Sequence, residues 1–559
     1  MKKVFEPQII HSLKNYNKEK FYADLMAGII VGIVALPLAI AFGITSGVTP
    51  EKGIYTAIIA GFIISFLGGS KVQIGGPTGA FIIIVYGVVQ QYGITGLAIA
   101  TIIAGVMLLA MGLLKLGAVI KFIPYPVVVG FTSGIAMTIF ATQIKDLFGL
   151  EIAKVPADFL HKWVAYAQNI GSINWWATLI GVASIVVIAI TPKFSKKIPG
   201  SLIAIIVMTV VVYIMKNNFG IQGIETIGDR FTINAALPEM TTYNIDFEAV
   251  RTLLPVAFSI AMLGAIESLL SATVADGVIG SKHNSNTELI AQGVANIVTP
   301  LFGGIPATGA IARTMTNINN GGRTPIAGII HAVVLLLILL FLGDLTKHIP
   351  MACLAGVLVI VAYNMSEWRT FRSLLKNNRS DAAVLVTTFL LTVIFDLTIA
   401  IQIGLLLAVV LFIRRVSAVS TVSVFKSELE TSIDGDFVSD TETIQIPKGV
   451  SVYEIEGPFF FGVANKFEET IKQVGGSPKV RIIRMRKVPF MDTTGANNLR
   501  NLIVMSHKDG TKIILSGVND SVRAVLDKTS IPDLIGRENI CSNIHEALKK
   551  SEELIAEIE

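Results

Sequence analysis

Charge is scarce in this sequence. Only 15% of its 559 residues are Asp, Glu, Lys or Arg, 52% are hydrophobic, and the mean hydropathy is +0.68, a balance that excludes a soluble globular protein. Cysteine is nearly absent: Cys353 and Cys541 fall in different parts of the chain, which excludes a disulfide framework. A signal-peptide pattern is also missing. The run Met1–Tyr22 is basic and polar, too long, and has no small-residue cleavage site after a short apolar core. No phosphate-binding glycine loop, metal-ligand cluster or catalytic triad is written anywhere, so neither enzyme activity nor a cofactor is expected. The net charge of +5 says little by itself and gives no ground for a nucleic-acid partner.

What is there is apolar sequence of spanning length, recurring from Asp24 to Arg415. About fourteen spans are predicted, some short or broken. The first half holds spans at roughly 24–45, 54–68, a half-helix from Pro77, 95–115, 124–144, 174–191 and 201–215. The second holds roughly 250–275, 287–302, a half-helix around Arg313, 325–342, 350–364, 381–396 and 398–413. Pro37 predicts a bend in span 1. Basic residues cluster before span 1 (Lys2, Lys3, Lys14, Lys18, Lys20), at Lys115 and Lys121, in TPKFSKKIPG, at Arg369, Arg372, Lys376 and Arg379, and at Arg414 and Arg415. The long loop 217–249 instead carries mostly Glu225, Asp229, Glu239 and Asp246. By the positive-inside rule these loops alternate, both termini are cytoplasmic, and the spans pass through the lipid of a bacterial-type inner membrane.

Two stretches break the apolar pattern in a matching way. Phe302–Pro325 reads FGGIPATGAIARTMTNINNGGRTP, and Ser65–Phe81 reads SFLGGSKVQIGGPTGAF. Each leaves an apolar run through glycines, then reaches Pro, Thr, Gly, Ala and a short helix. Irregular backbone at membrane depth is tolerated only where it is buried in protein or lines a watery cavity. Gly/Pro-interrupted segments at corresponding places in two halves point to a transporter binding site. A half-helix starting near Thr308 would aim free N–H groups and a positive dipole end into such a cavity, and Arg313 would add a full charge. These parts suit an anion.

From about residue 440 the composition becomes soluble. The strand SVYEIEG, the loop and amphipathic helix PFFFGVANKFEETIKQV, the strand VRIIRM, the loop PFMDTTG, and then helix, strand and helix predict a small α/β domain. The expected divisions are therefore a cytoplasmic segment 1–22, a transmembrane domain 23–418, a linker 419–439 and a soluble domain 440–559.

The stretches VQIGGPTGAF, GAIESLLSATVADG, KHNSNTELIAQGVAN, ARTMTNINNGGRTP and PFMDTTGANNLRNL together resemble the SulP/SLC26 anion transporters over nearly the whole chain. The resemblance implies an α-helical polytopic membrane protein with fourteen helices in a seven-plus-seven inverted repeat. It also implies core and gate domains, a cytoplasmic STAS domain, homodimers and elevator-like movement. It places a small inorganic or carboxylate anion between the tips of helices 3 and 10. The first tip is Gly76, Pro77, Thr78, Gly79 and Ala80. The second is Thr308, Gly309, Ala310 and Ile311, with Arg313 at a basic position. Helix 1 contributes Leu38 and Phe42, and helix 8 contributes Glu267 and Ser271. Sulfate is the conventional substrate, with bicarbonate and dicarboxylates as rivals. In the sodium-coupled bicarbonate branch the Glu267 position looks like Asp and the Arg313 position is uncharged; this sequence departs at both.

Glu267 sits mid-span, where an ionisable residue defaults to function, and is a candidate to carry a coupling proton; the alternative is a structural Glu267–Arg313 salt bridge. Phe42 reads equally as core or as an aromatic wall of the site. His331 is expected to be a hydrogen-bonded packing residue, and Asp276 a capped or interfacial carboxylate. In the soluble domain Asp492, Thr493 and Thr494 resemble the phosphorylated loop of anti-sigma-factor antagonists, with Thr494 as acceptor. Capping of the next helix by Asp492 or Thr493 is the favoured reading.

Overall fold

The computed structural model describes the chain apart from residues 1–4, 15, 119–123, 153–154, 157, 195–198, 222, 232–235, 377, 396, 420, 427, 433–440, 462–477 and 559. Lys2, Lys3, Lys121, part of the basic loop 191–200 and the expected helix in 462–477 lie outside the described residues. The chain divides into two compact units, Met1–Ala408 and Val409–Glu559.

The first unit is helical. Its helices of eight residues or more are α1 (Lys18–Thr45), α2 (Pro50–Leu67), α3 (Gly79–Leu113), α4 (Tyr125–Phe148), α5 (Phe159–Gln168), α6 (Trp175–Phe194), α7 (Gly200–Phe219) and α8 (Phe247–Ile279). They continue as α9 (Ser285–Leu301), α10 (Ile311–Asn319), α11 (Ile326–Thr346), α12 (Met351–Met365), α13 (Trp368–Leu375), α14 (Arg379–Ile394) and α15 (Leu397–Val419), the last of which runs past Ala408 into the second unit. Among the described residues nine helices are long and apolar enough to cross a membrane. Every expected span has its helix. Expected spans 3 and 4 form one run, α3, broken at Gly93, whose φ of 70° is outside helical geometry. The helix α1 starts at Lys18, ahead of the expected 24, under an Asn17 side-chain cap, and it contains Pro37.

The helices sort into two packing groups. α1, α2, α3, α8, α9, α10 and α11 pack on one another, while α4, α6, α7, α12 and α14 form the second group, with α4 central to it. The first group encloses two short strands, β1 (Gly75–Gly76) and β2 (Thr308–Gly309). Two of the helices named above were not expected. α5 is a short helix capped by Asp158, and α13 carries Trp368, Arg369, Phe371 and Arg372 in a stretch read as a basic loop. Both are too short and too polar to cross a membrane by themselves.

The second unit is built on a five-stranded sheet. Its strands are β3 (Thr421–Phe425), β6 (Val450–Glu456), β7 (Val480–Lys487), β8 (Lys512–Ser516) and β9 (Ile540–Cys541), in the order β3-β6-β7-β8-β9. β3 is antiparallel to β6 and the others are parallel. A separate hairpin pairs β4 (Glu428–Ser432) with β5 (Thr441–Gln445). The stretch read as a linker, 419–439, therefore contains β3 and β4, and β3 lies on the sheet edge because it pairs with β6 alone. Helices Thr493–Lys508 and Ile544–Ile558 cover the sheet. Asp492 caps the first of them: one carboxylate oxygen accepts the Gly495 N–H at 2.7 Å, the other the Phe461 N–H at 3.2 Å. Thr493 and Thr494 are exposed beside it.

Candidate anion site at the paired half-helix tips

The two irregular stretches meet. β1 and β2 pair antiparallel, with Gly75 opposite Gly309 and Gly76 opposite Thr308. Each strand runs into a helix: β1 into α3 through a tight turn at Gly79–Phe81, β2 into α10 at Ile311. An antiparallel pair sends the two helices away in opposite directions and leaves both N-termini at the centre. The helices begin a few residues later than Pro77 and Thr308 because the residues before them are paired. The Ala310 N–H donates to the Ile74 carbonyl at 2.9 Å, and the Gly309 N–H to Ser268 Oγ at 3.2 Å. The first-turn N–H groups of both helices have no acceptor within their own helix. Ile311, 37% exposed, marks where the tips open.

Glycine is required at this crossing. A Cβ on Gly76 would lie 2.0 Å from Arg313 Nη1 and 3.4 Å from Ala57 Cα, and one on Gly309 would lie 1.8 Å from Gln73 Nε2. Arg313 thus threads past β1 towards α2. It is 2% exposed, neither terminal guanidinium nitrogen has a hydrogen-bond partner, and no ion pair among the described residues includes it. A buried unpaired cation is costly, so this charge calls for an anion.

Glu267 stands elsewhere. Its Oε2 accepts the Thr78 hydroxyl at 2.8 Å, at the tip of α3. The alternative of a Glu267–Arg313 salt bridge is therefore corrected: α10 turns Arg313 towards β1 and α2, and turns the adjacent Thr314 towards α8. Ser271 Oγ lies 3.4 Å from Thr314 Oγ1, which itself accepts the Ile74 N–H at 3.1 Å. Ser271 consequently braces the tips and has no contact with Glu267 among these hydrogen bonds.

The remaining expected residues fall around α3. Phe42 is buried, its Cε1 3.6 Å from where a Gly79 Cβ would sit, so it walls the tip. Leu38 is half-buried against the same core. Met365 of α12 and Ile139 of α4 approach the same point at 3.1 and 3.2 Å, and nothing in the sequence singled them out. Pro77, Thr78 and Ala80 are buried at the turn.

Several supporting residues were missed. Ser268 sits 2.5 Å from Thr308 Oγ1, which donates to the Gly264 carbonyl at 3.0 Å. The spacing of Gly264, Ser268 and Ser271 on one face of α8 is the signal that could have found it. Asn296 holds both backbone groups of Ala307, at 2.8 and 2.9 Å. Glu288 is fully buried. It accepts from the Gly69 and Ser70 N–H groups at 2.9 and 3.2 Å, and from Gln73 and Gln292 at 3.0 and 2.9 Å. Asp24, also buried, accepts from the Thr324 hydroxyl at 2.5 Å and the Arg323 N–H at 2.9 Å.

Two side readings also resolve. Asp276 is a capped carboxylate, accepting the His283 N–H at 2.8 Å and the Ser281 hydroxyl at 2.7 Å. His331 is fully buried beside Gly61, but neither ring nitrogen reaches a hydrogen-bond partner of good geometry, against the expectation.

Comparison with known proteins agrees with this architecture. Residues 21–388 match the model of the sulfate permease family and residues 443–547 that of the STAS domain. A putative sulfate transporter of Bacillus subtilis, YvdB, is 43% identical, covering 94% of this chain and 97% of its own. The bicarbonate transporter BicA of Picosynechococcus sp. is 29% identical over 94% of each. Among solved structures, the murine Slc26a9 anion transporter in its inward-facing state superposes with a TM-score of 0.86 at 18% identity, over 98% of this chain and 94% of that one. The transmembrane domain of a cyanobacterial BicA gives 0.62 at 30% identity, over 70% of this chain and 98% of that one. The chain is thus a multi-pass membrane anion transporter and belongs to the sulfate permease (SulP/SLC26) family, with a C-terminal STAS domain.

Proposed function

We propose that the protein is a secondary active transporter of a small inorganic anion, of the sulfate type, driven by protons and working by elevator-like movement of the first helix group against the second. The observation that carries this reading is the buried, unpartnered Arg313 behind two half-helix N-termini held together by β1 and β2. Three sources of positive potential then converge on one place, and among the described residues no carboxylate forms an ion pair with Arg313. Glu267, fixed to the α3 tip through Thr78, supplies a site for the coupling proton. Proton uptake there would offset the charge of the anion during the crossing. Leu38 and Phe42 provide the apolar wall, and a homodimer in the inner membrane is the working assembly, with N- and C-termini in the cytoplasm.

The test is purified protein in liposomes, offered labelled sulfate, bicarbonate and succinate in turn, with imposed proton or sodium gradients. Sulfate accumulation driven by an inward proton gradient and indifferent to sodium is the expected result. Bicarbonate or succinate as the accumulated anion would reassign the substrate. Current that follows voltage alone, with no accumulation, would make the protein a channel.

A further inference from the structure

A cavity of about 320 Å³ lies between the two helix groups, on the side that the basic-loop bias assigns to the exterior. It begins at Ile82, one turn beyond the α3 tip, and follows α3 to Gln91, about 13 Å further along the helix. Its other walls come from α4 (Thr138, Thr142), α8 (Val256), the end of α14 (Val393, Ile394) and α5 (Phe159, Lys162).

Lys162 is the unusual member. It is only 5% exposed, yet among the described residues no hydrogen bond or ion pair holds its ammonium. The negative group lining the same cavity, Asp158, is turned to the backbone N–H and ring of His161 at 2.8 and 2.6 Å. The other polar groups are largely committed. Tyr86 donates to the Val155 carbonyl at 3.0 Å, and Thr138 and Thr142 donate to carbonyls of α4 at 2.8 and 2.6 Å. Gln91 has no side-chain hydrogen bond among the described residues and is exposed. Burial pushes the Lys162 ammonium down to about 8, against the opposing charge of Asp158, so at neutral pH it remains mostly charged.

We propose that this cavity is a second anion site, an outer waiting position in which Lys162 holds a single monovalent anion between the exterior and the half-helix tips. One ammonium balances one negative charge; Asp158 beside it, and walls of isoleucine, valine and phenylalanine, disfavour a doubly charged, strongly hydrated ion. Formate, bicarbonate and halides fit that description, and sulfate does not. The site is distinct from the Arg313 centre, and its thiol-labelling test does not depend on transport.

In Thr142→Cys protein, which keeps Lys162 and puts a thiol on the cavity wall, reconstituted in liposomes, the introduced thiol is reached from outside by an impermeant, negatively charged methanethiosulfonate. The native Cys353 and Cys541 are buried. At fixed ionic strength, formate and bicarbonate should slow the modification several-fold and sulfate should not. No slowing by any of the three overturns the site, and equal slowing by sulfate overturns its valence. As a second measure, Lys162→Met should raise the external KM for formate or bicarbonate, as substrate or competitor, several-fold. The internal KM should not move, and Lys162→Arg should rescue. Equal change at both faces, or no rescue by arginine, also counts against it.

Discussion

At the scale of single residues, the proposed anion centre turns on the contact between Gly76 and Arg313. Any side chain at residue 76 meets the guanidinium, since even a Cβ would approach to 2.0 Å. Gly76→Ala must push Arg313 off its line towards the tips while leaving the charge in place. Affinity for the carried anion should fall about tenfold, equivalent to about 1.4 kcal/mol, and Arg313→Ala should cost more, about 2–5 kcal/mol. Isothermal titration on the purified variants checks both, and unchanged affinity in Arg313→Ala removes it from the site. Arg313 itself was legible in the sequence, because an arginine inside Gly/Pro-interrupted apolar sequence is too costly to keep at membrane depth unless it serves a function. Its direction was not. Arg313 and Thr314 are neighbours about 100° apart on a helix, and only the helix's rotation decides which of them faces α8.

At the scale of elements, the half-helix tips are only as rigid as the segments feeding them. The segment before β1 has no regular structure from Gly68 to Ile74, and Glu288 supplies the hydrogen bonds that helix or sheet would otherwise provide. Removing that carboxylate strands two buried backbone N–H groups and two amide side chains. Glu288→Ala should therefore destabilise the transmembrane unit by about 3 kcal/mol or more, with Glu288→Gln milder because it keeps the shape and one acceptor. Thermal unfolding in detergent measures this, and an unchanged midpoint for Glu288→Ala would show that the clamp contributes nothing. Most helices were legible, since hydropathy over a spanning length is a strong signal. Short amphipathic pieces such as α5 and α13 were not, nor was the role of Glu288: a carboxylate in KHNSNTELIAQGVAN reads as a polar helix face until the fold brings residues 69–73 against it.

At the scale of the whole molecule, the proposed proton coupling rests on where Glu267 and Arg313 stand. Glu267 and Arg313 are unpaired in this structure, so an arriving anion does not have to displace the carboxylate from the arginine. Glu267 instead touches the tip through Thr78, whose backbone continues directly into the first turn of α3. An anion held at that turn brings a second negative charge close to Glu267, in surroundings of low dielectric where two like charges strongly repel. A proton on Glu267 relieves that repulsion, and the protonated carboxyl can still share a hydrogen bond with Thr78. Anion binding and protonation therefore promote each other, and by linkage the promotion is reciprocal. Glu267→Gln mimics the protonated form permanently. It should bind anion at least as well as the wild type at neutral pH, yet should not concentrate it under an inward proton gradient. Wild-type uptake should rise as external pH falls, because protonation is the limiting partner on the alkaline side, while the variant's uptake should be flat. Flux measured against external pH in liposomes, with the internal pH clamped, decides it. Full retention of the pH dependence in Glu267→Gln would move the coupling proton elsewhere, and His331, fully buried and without a hydrogen-bond partner of good geometry, would be the next residue to replace.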